Sequence, residues 1–93
     1  DAQHFIKAIA GNDKIWARFK RVITEQGGHV EIAKDDYMHI TFSTPIFHYV
    51  DDVEARFDRG EGLIHIRSAS RIGRSDFGVN RKRVEAIIKA LKR

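Results

Sequence analysis

The stretch DDVEARFDRGEGLIHIRSAS, residues 51–70, decides the fold because it contains two strands and the turn that joins them. Every second residue from Val53 to Phe57 is apolar, and a similar alternation begins at Ile64. Alternation of this kind is typical of strands that are buried on one face. The glycines and charged residues of 58–62 favour a turn. The stretch therefore predicts an antiparallel strand pair.

The sequence on either side of this pair predicts two further strands and two helices. Residues alternate in polarity where strands are expected, and they carry apolar side chains at helical spacing where helices are expected. The predicted elements, in chain order, are a helix at residues 12–26, strands at 29–34, 37–43, 46–57 and 63–70, and a helix at 80–92. We therefore expect an α+β fold in which two helices pack on one face of a four-stranded antiparallel meander (helix-β-β-β-β-helix). Residues 1–11 are expected to form a turn of helix or an N-terminal arm.

Short polar residues and glycines mark the ends of the predicted helices. Asn12 and Asn80 are the predicted N-caps, because an asparagine side chain accepts a hydrogen bond from a free N–H of the first turn. Gly27 and Gly28 are expected to end the first helix, since glycine adopts the left-handed conformation that follows many helices. Trp16 lies in the apolar stripe of that helix, so we expect it in the core rather than in a ligand site.

Two features of the predicted strands depend on alternation. Val30 and Ile32 are separated by one residue, so both are expected on the same face. Asp51 falls on the apolar face of the third predicted strand, and Asp52 falls on the other face. Either a bulge at this pair turns the Asp51 side chain away from the apolar face, or a carboxylate is buried with a partner. The expected partner is an arginine of residues 67–83.

The composition describes an ordinary globular chain and excludes several kinds of site. The 93 residues, 42% hydrophobic and 32% charged, are expected to form a single domain, residues 1–93. The absence of cysteine excludes disulfides, cysteine-ligated zinc, iron–sulfur clusters and thiol catalysis. No apolar run approaches the roughly 18 residues that a membrane span needs. No transmembrane segment is therefore predicted in this chain.

The charges are unevenly distributed along the chain. Residues 1–66 contain 8 Lys/Arg and 11 Asp/Glu, whereas residues 67–93 contain 9 Lys/Arg and 2 Asp/Glu, which gives the last third a net charge of +7. Such an asymmetry favours an anion-binding surface, or else a basic segment that packs against an acidic one. The sequence leaves both readings open.

The segment RSASRIGRSDFGVNRKR, residues 67–83, concentrates groups that bind anions. Arginine donates paired hydrogen bonds to carboxylates and phosphates, and the start of the following helix adds free N–H groups. The candidate ligand-binding residues are Arg67, Ser68, Ser70, Arg71, Ser75, Asp76, Asn80, Arg81 and Arg83. They predict a non-enzymatic binding module whose site lies at the 71–79 loop and the helix start. The expected partner is a small anionic ligand or a protein.

Two other functions remain open from the residues. An enzyme would use Asp51 or Asp52 with Arg67 or Arg71 on a phosphorylated or carboxylated substrate. Alternatively, the same two aspartates form a structural network with arginines. Structural networks of this kind perturb pKa values as active sites do, so the residue types alone do not separate the two cases. A protein-interaction domain would instead use the open face of the sheet.

The sequence predicts no cofactor and no metal site, and it argues against a nucleic-acid partner. Gly73 and Gly78 have the spacing of a phosphate-binding loop, but the lysine and hydroxyl residue that must follow are missing. The histidines lack the spacing of metal ligands. Nucleic-acid binding is disfavoured because the first two thirds of the chain is acidic and no paired aromatic residues lie on a strand.

Two segments, DDVEARF at 51–57 and IRSASRIGRSDFGVNRKRVEAI at 66–87, resemble the signature of a bacterial and plastid family known as domain of unknown function 1499. Trp16 and Tyr37 are also similar to the family, and the resemblance extends from about Trp16 onward. Many members carry an envelope-targeting or membrane-anchoring N-terminus, so the resemblance implies a setting in the bacterial cell envelope or periplasm. It implies no particular activity.

Overall fold

A computed structural model describes residues 4–44, 49–71 and 78–93 of the chain. The elements are β1 (His4–Ala10), α1 (Asp13–Glu25), β2 (His29–Ala33), β3 (Tyr37–Ser43), β4 (Val50–Asp58), β5 (Leu63–Ser70) and α2 (Val79–Leu91). Both helices and the four predicted strands are present, and the predicted start of the third strand lies partly outside the described residues. The α+β class is confirmed.

The sheet has five antiparallel strands in the order β1-β5-β4-β3-β2. β2 to β5 form the expected meander, but the expectation of four strands and an N-terminal arm or helical turn was wrong. The first residues form β1, which pairs with β5 from His4↔Ala69 to Ala10↔Leu63. The sequence signal was weak because β1 does not alternate strictly and depends on a partner strand far along the chain.

The two helices bury their apolar sides against one face of the sheet, which we call the covered face. α2 lies against β5 and β1, and α1 lies against α2 and β2. The core residues are Trp16, Phe19, Val22, Ile23, Met38, Ile40, Phe42, Val53, Ala55, Phe57, Ile64, Ile66, Val84, Ile87 and Leu91. The prediction that Trp16 is a core residue is confirmed, and its Nε1–H donates to the carbonyl of Asp35 at 2.8 Å.

Helix α1 begins and ends as its sequence predicts. The Asn12 side chain accepts a hydrogen bond from the N–H of Ile15 at 2.9 Å, which confirms the N-cap. Gly27 has φ +92°, and the N–H of Gly28 donates to the carbonyl of Ile23 at 2.9 Å. A Cβ at Gly28 would lie 2.8 Å from a methyl of Ile40, so this position has no room for a larger residue.

Helix α2 begins differently from the prediction. Its N-cap is Gly78, with φ +83°, and Asn80 lies inside the helix with its side chain buried. The prediction that Asn80 caps α2 was therefore wrong. A capping residue and a core-facing residue look alike in sequence when the N-cap lies two residues earlier than expected.

The edge strand β2 contains an irregularity that its sequence does not reveal. Val30 pairs with Ile40, but Ile32 pairs with His39, so the register shifts between them. The expectation that Val30 and Ile32 share a face was wrong, because the shift turns Ile32 to the side of the sheet away from the helices, where it is 42% exposed.

Neither helix of the described residues is long and apolar enough to cross a membrane.

Candidate functional site

The sheet divides the predicted ligand-binding residues between its two faces. Successive residues of β5 point to opposite sides, so Ser68 and Ser70 lie on the covered face, whereas Arg67 lies on the open face, the sheet surface that bears Tyr37, His39, Asp52, Glu54, Arg67 and Ala69. Arg71, just after β5, contacts Asp52 on the open face, whereas Asn80, Arg81 and Arg83 lie on α2. Ser75 and Asp76 lie outside the described residues.

Asp51 is buried on the covered face and pairs with Arg83. Its Oδ2 accepts a hydrogen bond from NH1 of Arg83 at 2.6 Å, and only 2% of the Asp51 side chain is exposed. The guanidinium of Arg83 also lies 4.5 Å from the centre of the Phe42 ring. β3 and β4 pair without a register shift here, so of the two outcomes expected at Asp51 the buried pair is the one present.

Ser68, Ser70 and Asn80 form a second polar group on the covered face. Ser68 Oγ donates to Oδ1 of Asn80 at 2.7 Å, and Nδ2 of Asn80 donates to Oγ of Ser70 at 3.0 Å. Ser68 and Asn80 are almost completely buried. The hydrogen bonds among Ser68, Ser70 and Asn80 hold α2 against β5.

Arg81 is exposed on α2, with its guanidinium 5.2 Å from the centre of the Phe5 ring.

On the open face, Glu54 accepts hydrogen bonds from two neighbouring strands. The Tyr37 hydroxyl donates to its Oε2 at 2.7 Å, and NH1 of Arg67 donates to its Oε1 at 3.3 Å. The hydrogen bond to Glu54, with burial and the nearby charges of Glu54 and Asp52, raises the pKa of Tyr37 to about 12. Tyr37 therefore stays a protonated donor at neutral pH.

Asp52 lies on the same face of β4, two residues before Glu54, and makes three hydrogen bonds. Arg71 donates from Nε to Oδ2 at 2.8 Å and from NH2 to Oδ1 at 2.9 Å, and His39 Nε2 lies 2.7 Å from Oδ1. The hydrogen bond from Arg71, assisted by His39, holds the pKa of Asp52 below its ordinary value, although partial burial acts in the opposite direction. Asp52 therefore stays ionised at neutral pH.

Two adjoining hollows lie over these side chains. The polar hollow has a volume of about 460 Å³ and is lined by Tyr37, His39, Asp52, Glu54, Arg67, Ala69 and Ser70. The side hollow has a volume of about 280 Å³ and is lined by Ile6, Tyr37, Glu54, Ala55, Arg56, His65, Ile66 and Arg67. Tyr37, Glu54 and Arg67 belong to both. A ligand seated on the open face therefore meets Arg67 in either hollow.

A third hollow, of about 410 Å³, lies between the helices and is lined in part by Arg18, Arg21, Glu25 and Arg93. Arg18 donates to the carbonyl of Leu91 at 2.9 Å, which satisfies the end of α2. Arg21 and Glu25 are each about two-thirds exposed and stand 3.5 Å apart. Exposed side chains of this kind hold a geometry weakly, so the open face is the better-ordered candidate site.

The model of the family described as Protein of unknown function (DUF1499) matches residues 1–91. The chain belongs to this family. A search of curated proteins found no match for the chain. The DUF1499 match includes β1, which the sequence resemblance did not reach.

In this DUF1499 domain, three polar residues of the site were not among the candidate site residues predicted from the sequence: Tyr37, His39 and Glu54. Alternation along β3 placed Tyr37 and His39 outward, but nothing in the sequence revealed that β3 aligns them with Glu54 and Asp52 of β4. Strand register, rather than any motif, assembles the site. Within the described residues, no group of three or more histidine, aspartate or glutamate side chains is arranged to hold a metal ion.

Proposed function

We propose that this domain binds a small anionic ligand on its open sheet face, with Arg67 as the main hydrogen-bond donor. One observation carries the proposal: every carboxylate oxygen in the polar hollow already accepts a hydrogen bond, whereas within residues 4–44, 49–71 and 78–93 Arg67 donates from only one of its nitrogens. Both oxygens of Asp52 and both oxygens of Glu54 are engaged. Of the described residues, only Glu54 accepts from Arg67, and a guanidinium has five N–H groups.

The state of Arg67 favours a ligand with two acceptor oxygens. The side chain is 42% exposed, so it is accessible, and its NH1 lies 3.3 Å from Oε1 of Glu54. A planar guanidinium matches the spacing of carboxylate and phosphate oxygens, and such paired bonds are among the strongest in proteins. Arg71 pairs with the ionised carboxylate of Asp52, and its positive charge balances the negative charge of that carboxylate. The pair therefore reduces the repulsion that the carboxylates would exert on an arriving anion.

The site differs in composition from the anion site predicted at the 71–79 loop and the start of α2. Arg67 and Arg71 belong to both, but the buried contacts of Ser68, Asn80 and Arg83 are directed into the protein. These three residues support the proposal only indirectly, because their contacts hold α2 against the covered face of the sheet. A bacterial cell-envelope setting, which the family resemblance implies, remains a part of the proposal.

The proposal is tested by the melting temperature in phosphate and in chloride at equal ionic strength. A ligand at ten times its Kd stabilises by about 1.4 kcal/mol, which corresponds to roughly 6–11 °C for a domain of this size. We expect this increment in the wild type and its loss in Arg67→Ala. Arg67→Lys should restore only part of it, because lysine lacks the planar fork.

Arg81→Ala is the matched control, since Arg81 is an exposed arginine on the other side of the sheet. We expect this variant to retain the phosphate increment. An increment lost in Arg81→Ala and kept in Arg67→Ala would contradict the open-face site and return the site to the start of α2. An increment lost only in Arg21→Ala would assign it to the hollow between the helices.

A second candidate is an enzyme that uses Asp52 with Arg67 and Arg71, which the 2.7 Å contact of His39 with Asp52 favours. Two observations support binding over catalysis. The lowered pKa of Asp52 leaves no proton for acid catalysis near pH 7, and Arg71 and His39 occupy its oxygens. Phosphate release from p-nitrophenyl phosphate that disappears in His39→Ala would favour the enzyme instead.

The protein-interaction alternative has less support. Among the described residues, the exposed large hydrophobic side chains are Ile6 and Ile32, and they lie on β1 and β2 at opposite edges of the sheet. They do not form a continuous apolar patch of the kind that marks protein interfaces.

A further inference from the structure

We propose that the ligand is amphipathic, with its anionic head at Arg67 and a short apolar body in the side hollow. This inference rests on the proposed function, because it places the body beside a head that Arg67 already holds. The occupant is a small molecule of this class, such as a medium-chain carboxylate.

Ile6 is an exposed apolar side chain next to the anion donor. Its side chain is 70% exposed, which is the larger exposure of the two exposed large hydrophobic residues among those described. Ile6 lies on edge strand β1 directly opposite Arg67 of β5, and its side chain lines the side hollow. An apolar wall therefore stands one strand away from the donor that binds the anionic head.

The side hollow is long enough for a short apolar body. It crosses the sheet from Ile6 on β1 to Tyr37 on β3, a distance of roughly 14 Å from three strand spacings. Its volume of about 280 Å³ is about nine times the share of one water molecule in the liquid. The hollow has room for a body of several carbon atoms but not for a long acyl chain.

The charge around the side hollow favours an anionic head. Arg56 and Arg67 line it together with Glu54, so its arginine and glutamate side chains sum to one positive charge. Glu54 is already bonded to Tyr37 and Arg67. An apolar body that enters here with an anionic head is favoured, whereas the same body with a cationic head is repelled.

The experiment is a calorimetric titration with acetate, butyrate, hexanoate and octanoate. Burial of a methylene group is worth about 0.8 kcal/mol, or roughly a fourfold change in Kd. Because the hollow is open to solvent, we expect Kd to fall about two- to fourfold per methylene and to level off once the hollow is filled. Ile6→Ser should flatten this dependence and leave acetate binding unchanged.

Ile32→Ser is the matched control, because among the described residues Ile32 is the other exposed large hydrophobic residue on an edge strand and does not line the hollow. It should leave the whole series unchanged, and Arg67→Ala should weaken every member. If acetate and octanoate bind equally, the amphipathic ligand is wrong and the anion site stands. If no carboxylate binds, this inference fails, and the phosphate increment in the melting temperature decides separately whether the proposed function stands.

Two further outcomes overturn the inference. Octanol that binds as tightly as octanoate shows that the hollow takes apolar molecules without a charged head. A concentration-dependent dimer in sedimentation experiments that Ile6→Ser abolishes shows that a second copy of the chain covers Ile6 instead.

Discussion

At the residue scale, the environments of Asp51 and Asp52 show how alternation assigns different chemistry to neighbouring residues. Asp51 is buried under α2 with Arg83 as its partner. Asp52 lies on the open face, about one-fifth exposed, between His39 and Arg71. The two carboxylates cannot share one site, because successive residues of a strand point to opposite faces.

We expect Arg83→Met to destabilise the domain by about 3–5 kcal/mol, because it leaves the buried carboxylate of Asp51 without this partner. Urea denaturation at pH 7 measures the change. Arg81→Met is the control: it also removes an arginine of α2 beside an aromatic ring, but an exposed one, and should cost less than about 1 kcal/mol. Equal costs for the two variants would contradict the buried pair.

We expect Tyr37 to titrate near pH 12. Because this pKa lies above the ordinary value of 10.0, its interactions contribute stability that is fully present below pH 10 and is lost as the pH rises through about 12. Tyr49→Phe leaves Tyr37 as the only tyrosine, so absorbance at 295 nm reports its ionisation. Adding Glu54→Gln should move the midpoint back toward 10, and an unchanged midpoint would contradict the role of Glu54.

At the element scale, the start of α2 is joined to β5 by side chains rather than by a capping residue. Gly78 begins the helix, and Asn80 reaches across to the two serines of β5. The polar contacts fix where α2 lies along β5, whereas the apolar residues Val84 and Ile87 supply most of the buried surface. The element is therefore positioned by hydrogen bonds and stabilised by burial.

We expect Asn80→Ala to cost about 1–3 kcal/mol, because it leaves the buried hydroxyl of Ser68 without its acceptor. A double-mutant cycle with Ser68→Ala should give a coupling energy of about 0.5–3 kcal/mol in urea denaturation. Asn12→Ala removes a true N-cap, and its effect should add to that of Ser68→Ala without coupling. Absence of coupling between Asn80 and Ser68 would contradict the contact.

At the scale of the whole molecule, the sheet separates a structural side from a binding side. The covered face holds the core and the buried polar groups, and the open face carries the paired charges and the two adjoining hollows. β1 contributes to both sides, since Phe5 and Ile9 pack against the core and Ile6 lines the side hollow.

A chain that begins at Gly11 therefore lacks part of the core, and it also exposes the apolar strand β5 as a new edge. We expect its melting temperature to fall by at least roughly 10 °C, because two partly buried side chains are lost. Light scattering should detect aggregation through the unpaired edge. A chain that begins at His4 keeps all of β1 and is the control, so its melting temperature should fall by less. Equal melting temperatures would contradict the role of β1.

Features that depend on near neighbours in the chain could be predicted before the structure was known. Asn12 and Gly27 predicted the ends of α1, and the alternation of β3 predicted that Met38 and Ile40 face the core. Caps, turns and alternation are local, because the groups that satisfy them lie within a few residues.

The positions of the polar side chains depend on contacts between elements that are far apart in the chain. β1 needs β5 as a partner, and Asn80 became a core residue because β5 presents two serines to it. On the open face, Glu54 meets Tyr37 and Arg67 from 17 and 13 residues away. Contacts at such separations depend on strand register and edge pairing, which local sequence constrains only weakly.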